Sequence, residues 1–368
     1  MRIGVNLLSV VPGKIGGMEQ YVRNLLSYSV NAGDGHTWYL FLTAHNFHTF
    51  QAQSNVHKLM IPQNFGTDQQ LHRWIQSLKL ELWFCPMLVL SPADVQIPSV
   101  INIPDIQHEY YPHFFEPHIL NWRRTNYQAS AQRSSAVLTL SEYSKQTIVQ
   151  KFHLPAHKVH AVHLDASKEF SLPFDAALNE HVLQKYQLTP GYGFFPANTW
   201  HHKNHLNLLK ALVSLRQNHG LRIPVVFTGF AQEAHDSVVS YLNENHLWDQ
   251  IKWLNYVPQN EMPYLYRNAG FLCFPSLFEG FGIPLVEAMR AQIPIISSNC
   301  GSIPEVVGNA SLLFDPLRPE DIAAKLAAVL QPGIRNDLIA KGNAQAKKFS
   351  WEKCARETLA VFRSAAHR

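Results

Sequence analysis

The sequence predicts an α/β protein built from two doubly wound domains. Short apolar runs alternate with segments of helical periodicity along the chain. Few polar residues interrupt these runs, as expected for strands of a parallel sheet that is covered on both faces. The length of 368 residues exceeds one ordinary core and suits two domains of roughly 150 to 200 residues each.

In the first half, strands and helices follow one another in a βαβ pattern. The segments in order are IGVNLLS, the helical MEQYVRNLLSYSV, TWYLFLT, the helical QLHRWIQSLKL, ELWFCP, SVINIP, the polar helix HILNWRRTNYQASAQRS, AVLTLS and the helical EYSKQTIVQKF. The stretch LDASKEFSLPFDAA is less regular, so we expect the main domain boundary there, with an N-terminal domain of residues 1–172.

The second half repeats this alternation over residues 173–349. Its segments are YGFFP, KNHLNLLKALVSLRQ, PVVFTG, SVVSYLNENH, IKWL, EMPYLYRNA, FLCFPS, a helix after LFEGFG, PIISS, ASLLFD and PEDIAAKLAAVL. Two such domains would face a cleft, with ligands bound at the carboxyl ends of the strands. The last helix, residues 350–368, begins with a serine cap, but its periodicity does not indicate which domain it packs on.

Composition excludes several classes of protein. An apolar fraction of 46% with 16% charged residues is typical of a compact fold, and the net charge of +4 is spread without a basic block, which does not favour nucleic-acid binding. No apolar stretch is long enough to span a bilayer and the start does not resemble a signal peptide, so any membrane role is expected to be peripheral. Four widely spaced cysteines without a CxxC pair favour a reducing cytosol over a disulfide framework or a zinc knuckle.

The segment LFEGFGIPLVEAMRAQIPII, residues 277–296, carries the strongest chemical signal. A glycine turn is followed by Pro284, which suits the first helical position because its missing N–H is not needed there, so the helix should begin just after Gly282. The N–H groups at such a helix start bind phosphate. Glu287, about one turn into the helix, could accept hydrogen bonds from ribose, and Glu279 could bind a second polyol. Alternatively, Glu287 is an acid favoured by the helix dipole and Glu279 a solvated loop residue.

The longer segment FPSLFEGFGIPLVEAMRAQIPIISSNCGSIPEVVGNASLLFDP resembles the donor-binding core of the retaining glycosyltransferases of family 4. The E-x7-E signature of that family falls on Glu279 and Glu287. The resemblance extends through KNHLNLLKAL, VFTG, LNYVPQNEMPYLYRNA, GGMEQYVRNLL, INIPDIQHEYYPHFF and VLTLSEYSKQTI. It implies the GT-B fold, in which two Rossmann-like domains face a cleft that holds the active site and the last helix crosses back onto the N-terminal domain.

The resemblance also implies roles for residues of the C-terminal, donor-binding domain. Glu287 is similar to the ribose ligand, and Glu279 to the carboxylate near the hydroxyls and leaving group of the donor sugar. Lys203 resembles the lysine that neutralises the diphosphate; the alternative is an exposed lysine in the first turn of a helix. The remaining donor-binding positions are the backbone of Gly280, Phe281, Gly282 and Ile283 for the sugar and distal phosphate, and that of Tyr256 and Val257 for the nucleobase.

In the N-terminal domain, which the resemblance makes the acceptor-binding one, two loops are singled out. PGKIGGMEQ matches neither a dinucleotide fingerprint nor a Walker loop, but it resembles the GGxE loop of the family, in which Gly16 and Gly17 close onto the donor phosphate and the acceptor. Its alternative is a flexible turn. PDIQHEYYPHFF would place His108 beside the donor sugar and Asp105 within reach of the acceptor, although a histidine or aspartate in a loop is often structural.

One position departs from the family. Many members have an arginine six residues before the lysine, where this chain has Ala197. His201 and His202 are candidates to assist, or belong to a histidine-rich surface loop. With His205 they could suggest zinc, but cysteine or carboxylate partners at ligand spacing are missing. We expect no metal and no cofactor besides the donor, since the sequence has no DxD pair at a strand end.

These observations predict a retaining, metal-independent transferase that moves a hexosyl unit from a nucleotide-diphosphate sugar to a hydroxyl of a glycan, lipid-linked or small-molecule acceptor. PANTWHHKNH resembles mannosyl- and rhamnosyl-type transferases of polysaccharide assembly, which favours GDP-mannose. The protein would be cytoplasmic, with peripheral contact at the inner face of the membrane. The alternatives are a sugar-nucleotide epimerase of the same fold and a non-catalytic binding protein. A glycoside hydrolase would need two carboxylates across a glycosidic bond and no phosphate site.

Overall fold

The computed structural model describes residues 1–13, 16–62 and 67–367. The chain divides into two compact units. Unit 1 consists of Met1–Leu164 and the residues from Ser350 onward, and unit 2 is Asp165–Phe349. Each unit has one parallel β-sheet surrounded by helices. The predicted class of two Rossmann-like α/β domains is therefore confirmed. The boundary that we expected after residue 172 lies within unit 2 by this division.

The sheet of unit 1 has the strand order β3-β2-β1-β4-β5-β6-β7, and all its strand pairs are parallel. Its central strands are buried apolar runs, whereas the edge strands β3 and β7 include half-exposed polar residues and were missed by periodicity. The strands are β1 (Arg2–Asn6), β2 (Thr37–Leu42), β3 (Val56–Met60), β4 (Leu82–Cys85), β5 (Ser99–Asn102), β6 (Ala136–Thr139) and β7 (Val159–Ala161).

Helices connect these strands. The hydroxyl of Ser141 accepts a hydrogen bond from Ser144 N at 3.0 Å and so caps the start of the fifth helix. Before residue 164, the described part of the chain has the α-helices α1 (Gly17–Val30), α2 (Thr67–Ser77), α3 (Gln107–Tyr110), α4 (Pro117–Arg133) and α5 (Glu142–Phe152). Of the loop PGKIGG, Lys14 and Ile15 lie outside the described residues.

The sheet of unit 2 has the order β10-β9-β8-β11-β12-β13, again with parallel pairs throughout. Leu272 in the middle of the sheet is paired with Phe194 on one side and Ile295 on the other. The strands are β8 (Gly193–Pro196), β9 (Val225–Thr228), β10 (Ile251–Trp253), β11 (Phe271–Phe274), β12 (Ile295–Ser298) and β13 (Ser311–Phe314).

The periodicity did not predict three helices of unit 2, which are α6, α11 and α13 in the series given below. The first begins inside the stretch that we expected to be irregular, because Asp175 caps it by accepting hydrogen bonds from Ala177 N and Leu178 N. The helices are α6 (Ala176–Tyr186), α7 (His205–His219), α8 (His235–Glu244), α9 (Met262–Asn268), α10 (Ile283–Arg290), α11 (Ile303–Val307), α12 (Pro319–Ala328) and α13 (Pro332–Ala346).

Helix α14 (Trp351–Ala366) follows unit 2 in sequence but belongs to unit 1, as the resemblance implied. Ser350 caps its first turn by accepting a hydrogen bond from Lys353 N at 3.1 Å. The ring of Phe362 is fully buried, with its centroid 4.9 Å from that of Phe84 and 6.4 Å from that of Trp38. The buried face of α14 therefore completes the core of the first sheet.

Arg290, the last residue of α10, is bonded to both ends of unit 2. Its Nε and Nη2 atoms donate to the two carboxylate oxygens of Asp165 at 3.1 and 2.9 Å, and Nη2 also donates to the carbonyl of Phe349 at 2.9 Å. Such a two-point arginine–carboxylate pair fixes direction as well as distance. Both points where the chain passes between units 1 and 2 are thus held by the helix that follows the glycine turn.

We expect Phe362→Ala to lower the free energy of unfolding by about 3 to 5 kcal/mol, because it empties a fully buried aromatic site. Urea unfolding followed by circular dichroism measures the change. The matched control is Arg356→Ala on the exposed face of the same helix, which should shift stability by less than about 0.5 kcal/mol. Equal, small effects of both substitutions would contradict the packing described for α14.

Candidate active site

Two loops of unit 2 meet because the strands before them are neighbours in a parallel sheet. Strands β8 and β11 pair through Gly193–Phe271 and Phe194–Leu272, so the loops that follow them leave from the same edge. The N–H of Leu277 donates to the carbonyl of His202 at 2.7 Å and joins the two loops directly. This edge of the sheet is where ligands bind in α/β proteins.

Lys203 and Glu279 form an ion pair at this meeting point. The Nζ–Oε1 distance is 2.6 Å, and the side chains are only 17% and 12% exposed. Lys203 ends a short 3₁₀ helix, His201–Lys203, and lies before α7 instead of opening it. The alternatives of an exposed first-turn lysine and a solvated glutamate are therefore wrong. A charge pair this sheltered from water is stronger than one on the surface.

The glycine turn between Glu279 and α10 has the predicted form. Gly282 has φ +94° and precedes Ile283, the first residue of α10, with Pro284 in the first turn. The hydroxyl of Ser302 lies 2.9 Å from the Glu279 carbonyl and 3.3 Å from the Phe281 carbonyl, and so directs the turn's carbonyls toward α11. The start of α10 then presents backbone N–H groups and the positive end of the helix dipole, a combination that suits an anion.

Glu287 is buried one turn into α10, where its residue is only 5% exposed. The hydroxyl of Tyr266, on α9, donates to Glu287 Oε2 at 2.7 Å. Burial raises the pKa of the Glu287 carboxyl to about 7, although the hydrogen bond from Tyr266 lowers it; the charge of Glu169 raises it further. This carboxyl therefore changes its charge near neutral pH.

Tyr256 and Val257 follow β10 but differ in exposure. Val257 is buried, whereas Tyr256 is 54% exposed and stacks on Phe230, with ring centroids 5.1 Å apart and planes inclined by 15°. Phe230 follows β9, the neighbouring strand, and is 45% exposed. The two rings form an accessible aromatic pair at the same edge of the sheet.

The loop that contains Ala197 packs closely against Gly229 and leaves no room for a side chain at residue 229. Gly229 has φ +109°, and a Cβ there would lie 2.7 Å from the carbonyl carbon and oxygen of Ala197. His205 is buried among Phe195, Phe227 and Trp253, and burial lowers its pKa to about 3. It is therefore a neutral core residue.

In unit 1, the two candidate glycines begin α1. Gly16 has φ +52° and caps the helix, and, its chain neighbours apart, no atom of the described residues lies within 4 Å of the position that a Cβ would take. Gly17 is the first helical residue. Glu19 holds this region, since its carboxylate accepts from Gly13 N at 2.7 Å and from Arg23 Nε at 2.8 Å. The open space around Gly16 leaves its backbone accessible.

Asp105 and His108 lie in the loop after β5. Asp105 Oδ1 accepts from Gln107 N at 2.9 Å in a turn that starts α3. His108 is fully buried, and among the described residues neither of its ring nitrogens has a hydrogen-bond partner. Burial, followed by the charges of Arg123 and Arg124, lowers the pKa of His108 to about 4. A neutral imidazole with both nitrogens unbonded is suited to a polar ligand.

The structure thus brings Lys203, Glu279 and the glycine turn together in unit 2, with Glu287 on the helix that follows. Sequence reasoning missed Tyr266 and Ser302, which contact these residues. Both lie in segments that carried the resemblance, but nothing in their spacing pointed to them. Across the described ranges, no group of three histidine, cysteine or acidic side chains is arranged to hold a metal ion.

Two further features concern the whole chain. All four cysteines are thiols and none forms a disulfide in the structure. Within the residues that the structure describes, every helix is too short or too polar to cross a lipid bilayer.

Comparison with known proteins identifies relatives. The family described as "Glycosyl transferases group 1" matches residues 187–345. The O-antigen chain mannosyltransferase B of Escherichia coli is 32% identical over 267 residues, which cover 72% of this chain and 70% of that protein. The MMP alpha-(1->4)-mannosyltransferase of Mycolicibacterium hassiacum is 26% identical over 240 residues, covering 64% of this chain and 55% of that protein.

Solved structures show the same fold. HepE of Anabaena in complex with UDP and glucose has a TM-score of 0.77 at 17% identity, and the match covers 99% of this chain and 100% of the HepE chain. Sucrose-phosphate synthase of Thermosynechococcus elongatus has a TM-score of 0.79 at 14% identity, and the match covers 99% of this chain and 98% of the synthase chain. At these identities the likeness establishes the fold alone.

We expect Glu287→Gln to become more stable relative to the wild type as pH rises. The folded-state pKa of about 7 lies above the ordinary value of 4.5, so folding favours the protonated form, and the wild type loses stability between these two values. The glutamine variant cannot ionise there. Its advantage should grow by about 2 to 3 kcal/mol between about pH 5 and pH 8 in urea unfolding. A constant difference over this range would show that Glu287 does not titrate as described.

Proposed function

The chain belongs to the group 1 glycosyl transferases, and we propose that it moves a hexosyl unit from a nucleotide-diphosphate sugar to an acceptor hydroxyl, with retention at the anomeric carbon. The observation that carries this proposal is the sheltered Lys203–Glu279 pair beside the start of α10. A cation, a carboxylate and a helix N-terminus in one place match the phosphates and hydroxyls of such a donor.

Lys203 and the start of α10 hold the diphosphate. The ammonium has three donors, so a phosphate oxygen can bind Nζ while Glu279 keeps its position through the same group. As the sugar leaves, negative charge grows on the diphosphate, and a fixed cation with a helix dipole stabilises that charge without rearrangement. The backbone of Gly280, Phe281, Gly282 and Ile283 meets the sugar and distal phosphate. This combination replaces the arginine that is Ala197 here.

The nucleoside lies beyond the phosphates. Glu287 accepts hydrogen bonds from the ribose, since it is the buried carboxylate on the helix whose N-terminus faces the phosphates. The backbone of Tyr256 and Val257 contacts the base. Glu279, closer to the phosphates, binds hydroxyls of the transferred sugar.

Unit 1 supplies the groups for the sugar and the acceptor. Neutral His108 can donate from one ring nitrogen and accept at the other, which suits a sugar hydroxyl. Asp105, in the same loop, accepts a hydrogen bond from the acceptor hydroxyl. The accessible backbone of Gly16 and Gly17 binds donor phosphate or acceptor.

Retention follows if the acceptor attacks from the face that the diphosphate leaves. The bond between the anomeric carbon and the phosphate oxygen breaks, the bond to the acceptor oxygen forms, and the acceptor proton passes to the departing diphosphate. Lys203 and the helix dipole provide the positive charge, so we propose that no metal ion is needed.

The names of the relatives guide the choice of substrates. Two of them are named as mannosyltransferases, one for the O-antigen chain, which favours GDP-mannose and a growing glycan or lipid-linked acceptor. The structure of HepE was solved with UDP and glucose, so UDP-glucose is the second donor to test beside GDP-mannose. The thiol state of the four cysteines fits a cytoplasmic enzyme, with peripheral contact at the membrane where a lipid-linked acceptor lies. The relatives named are transferases, and no observation favours the epimerase or the non-catalytic alternative.

We expect Lys203→Ala and Glu279→Ala to lower kcat/KM by about 100-fold or more, because each removes a charge at the reacting end of the donor. Glu287→Ala should act mainly on the KM of the donor, by about tenfold or more. Initial rates with GDP-mannose and UDP-glucose measure these effects. Lys210→Ala, exposed on α7, is the matched control and should keep wild-type rates. Near wild-type transfer by all three site variants would refute the assignment.

The reaction run in excess EDTA should still give product, and its glycosidic bond should have the anomeric configuration of the donor. NMR of the anomeric proton and carbon in the isolated product provides the measurement. Activity that disappears in EDTA and returns with added Mg²⁺ or Mn²⁺ would overturn metal independence. An inverted product would instead overturn retention.

A further inference from the structure

The two oxygens of the Glu287 carboxylate have different surroundings. Oε2 accepts the hydrogen bond from the Tyr266 hydroxyl at 2.7 Å. Within the described ranges, Oε1 has no hydrogen-bond donor, although the residue is only 5% exposed. A carboxylate this deeply buried is costly unless its oxygens are hydrogen-bonded. The Glu287 side chain is therefore half satisfied, and the remaining oxygen is available to a ligand donor.

Tyr266 itself is held rigidly. It is fully buried on α9, and its ring packs edge-to-face against Phe194 at 4.8 Å and Phe170 at 5.2 Å between centroids. Such packing on two sides fixes the ring and hence the position of its hydroxyl. The core of unit 2 thus determines where the hydroxyl meets Glu287.

We propose that Tyr266 is a positioning residue for the donor: by holding Oε2, it directs Oε1 of Glu287 toward a ribose hydroxyl. This inference rests on the proposed function, in which Glu287 binds the ribose. It adds a residue that does not contact the donor but determines how well the contact is made.

The charge around Glu287 links this geometry to pH. The titratable groups that face it are Tyr266 from α9 and Glu169 from the 3₁₀ helix Lys168–Ser171. Burial and Glu169 favour the protonated carboxyl, whereas the Tyr266 hydroxyl favours the ionised form. A ribose hydroxyl donating to Oε1 also favours the ionised form, so donor binding near neutral pH should release a proton from Glu287.

The test compares wild type with Tyr266→Phe, which removes only the hydroxyl. Calorimetric titration of GDP and 2′,3′-dideoxy-GDP, in buffers of different ionisation enthalpy, gives both affinity and protons released; UDP and its dideoxy analogue replace them if UDP binds more tightly. The wild type should bind the ribose form about tenfold or more tightly. In Tyr266→Phe the ratio of the affinity for GDP to that for 2′,3′-dideoxy-GDP should fall several-fold. The pH at which the affinity for GDP is half-maximal should rise.

Tyr192→Phe is the matched control. Tyr192 is also buried in unit 2, and its hydroxyl donates to the carbonyl of Leu265 at 2.7 Å, away from any carboxylate. Removing it deletes an equivalent buried hydrogen bond, so a merely structural effect would appear in both variants. We expect Tyr192→Phe to keep the wild-type ribose ratio and proton release.

The outcomes separate the inference from the proposed function. If the wild type prefers the ribose form and Tyr266→Phe prefers it equally, with the same pH dependence, Tyr266 has no positioning role and Glu287 remains the ribose ligand. If the wild type does not distinguish the two nucleotides, the ribose role of Glu287 fails as well. Should Tyr266→Phe not fold, Phe170→Leu takes its place, because it loosens the packing that fixes the Tyr266 ring while the hydroxyl is kept. A lowered ribose preference in Phe170→Leu supports the inference, and a wild-type preference overturns it.

Discussion

The candidate site depends on the parallel pairing of β8 with β11. This pairing brings the loops after the two strands to one edge, where Lys203 and Glu279, far apart in sequence, come within 2.6 Å. The ring of Phe271 lies over Gly193, and a Cβ at residue 193 would be 2.6 Å from its tip. Glycine at this point therefore allows the large ring to pack while the strands keep their register. The ion pair, the turn and α10 all follow from that register.

The two glutamates of the E-x7-E signature are placed in opposite electrostatic surroundings. Glu279 has a lysine as its partner and lies where the loops meet, whereas Glu287 accepts a hydrogen bond from a neutral phenol and is buried. Burial raises the pKa of the Glu287 carboxyl to about 7, so its charge depends on which groups bind beside it. Two glutamates of one sequence signature, one in a loop and the other in α10, thus offer a ligand different surroundings.

Local signals predicted the local structure well. Gly282 and Pro284 determine where α10 begins, since they act through the conformation of their own backbone. The edge strands β3 and β7 were missed because their polar residues obscure the apolar pattern, and α6 because a capping aspartate outweighed an irregular composition. The contacts of Glu279 with Lys203 and of Glu287 with Tyr266 join distant segments, so they depend on tertiary packing that periodicity does not report. The family resemblance identified both glutamates and Lys203 but not the tyrosine.

The place of α14 has a consequence for how the chain is made. Unit 1 consists of two stretches of sequence, and the second of them, α14, is synthesised only after all of unit 2. Until then, the side of the first sheet that carries Trp38 and Phe84 lacks the Phe362 ring that packs on it. Unit 2, a continuous segment, can fold on the ribosome as soon as it emerges. The unit that begins first is therefore completed last, and in the meantime its apolar surface is one that a chaperone would recognise.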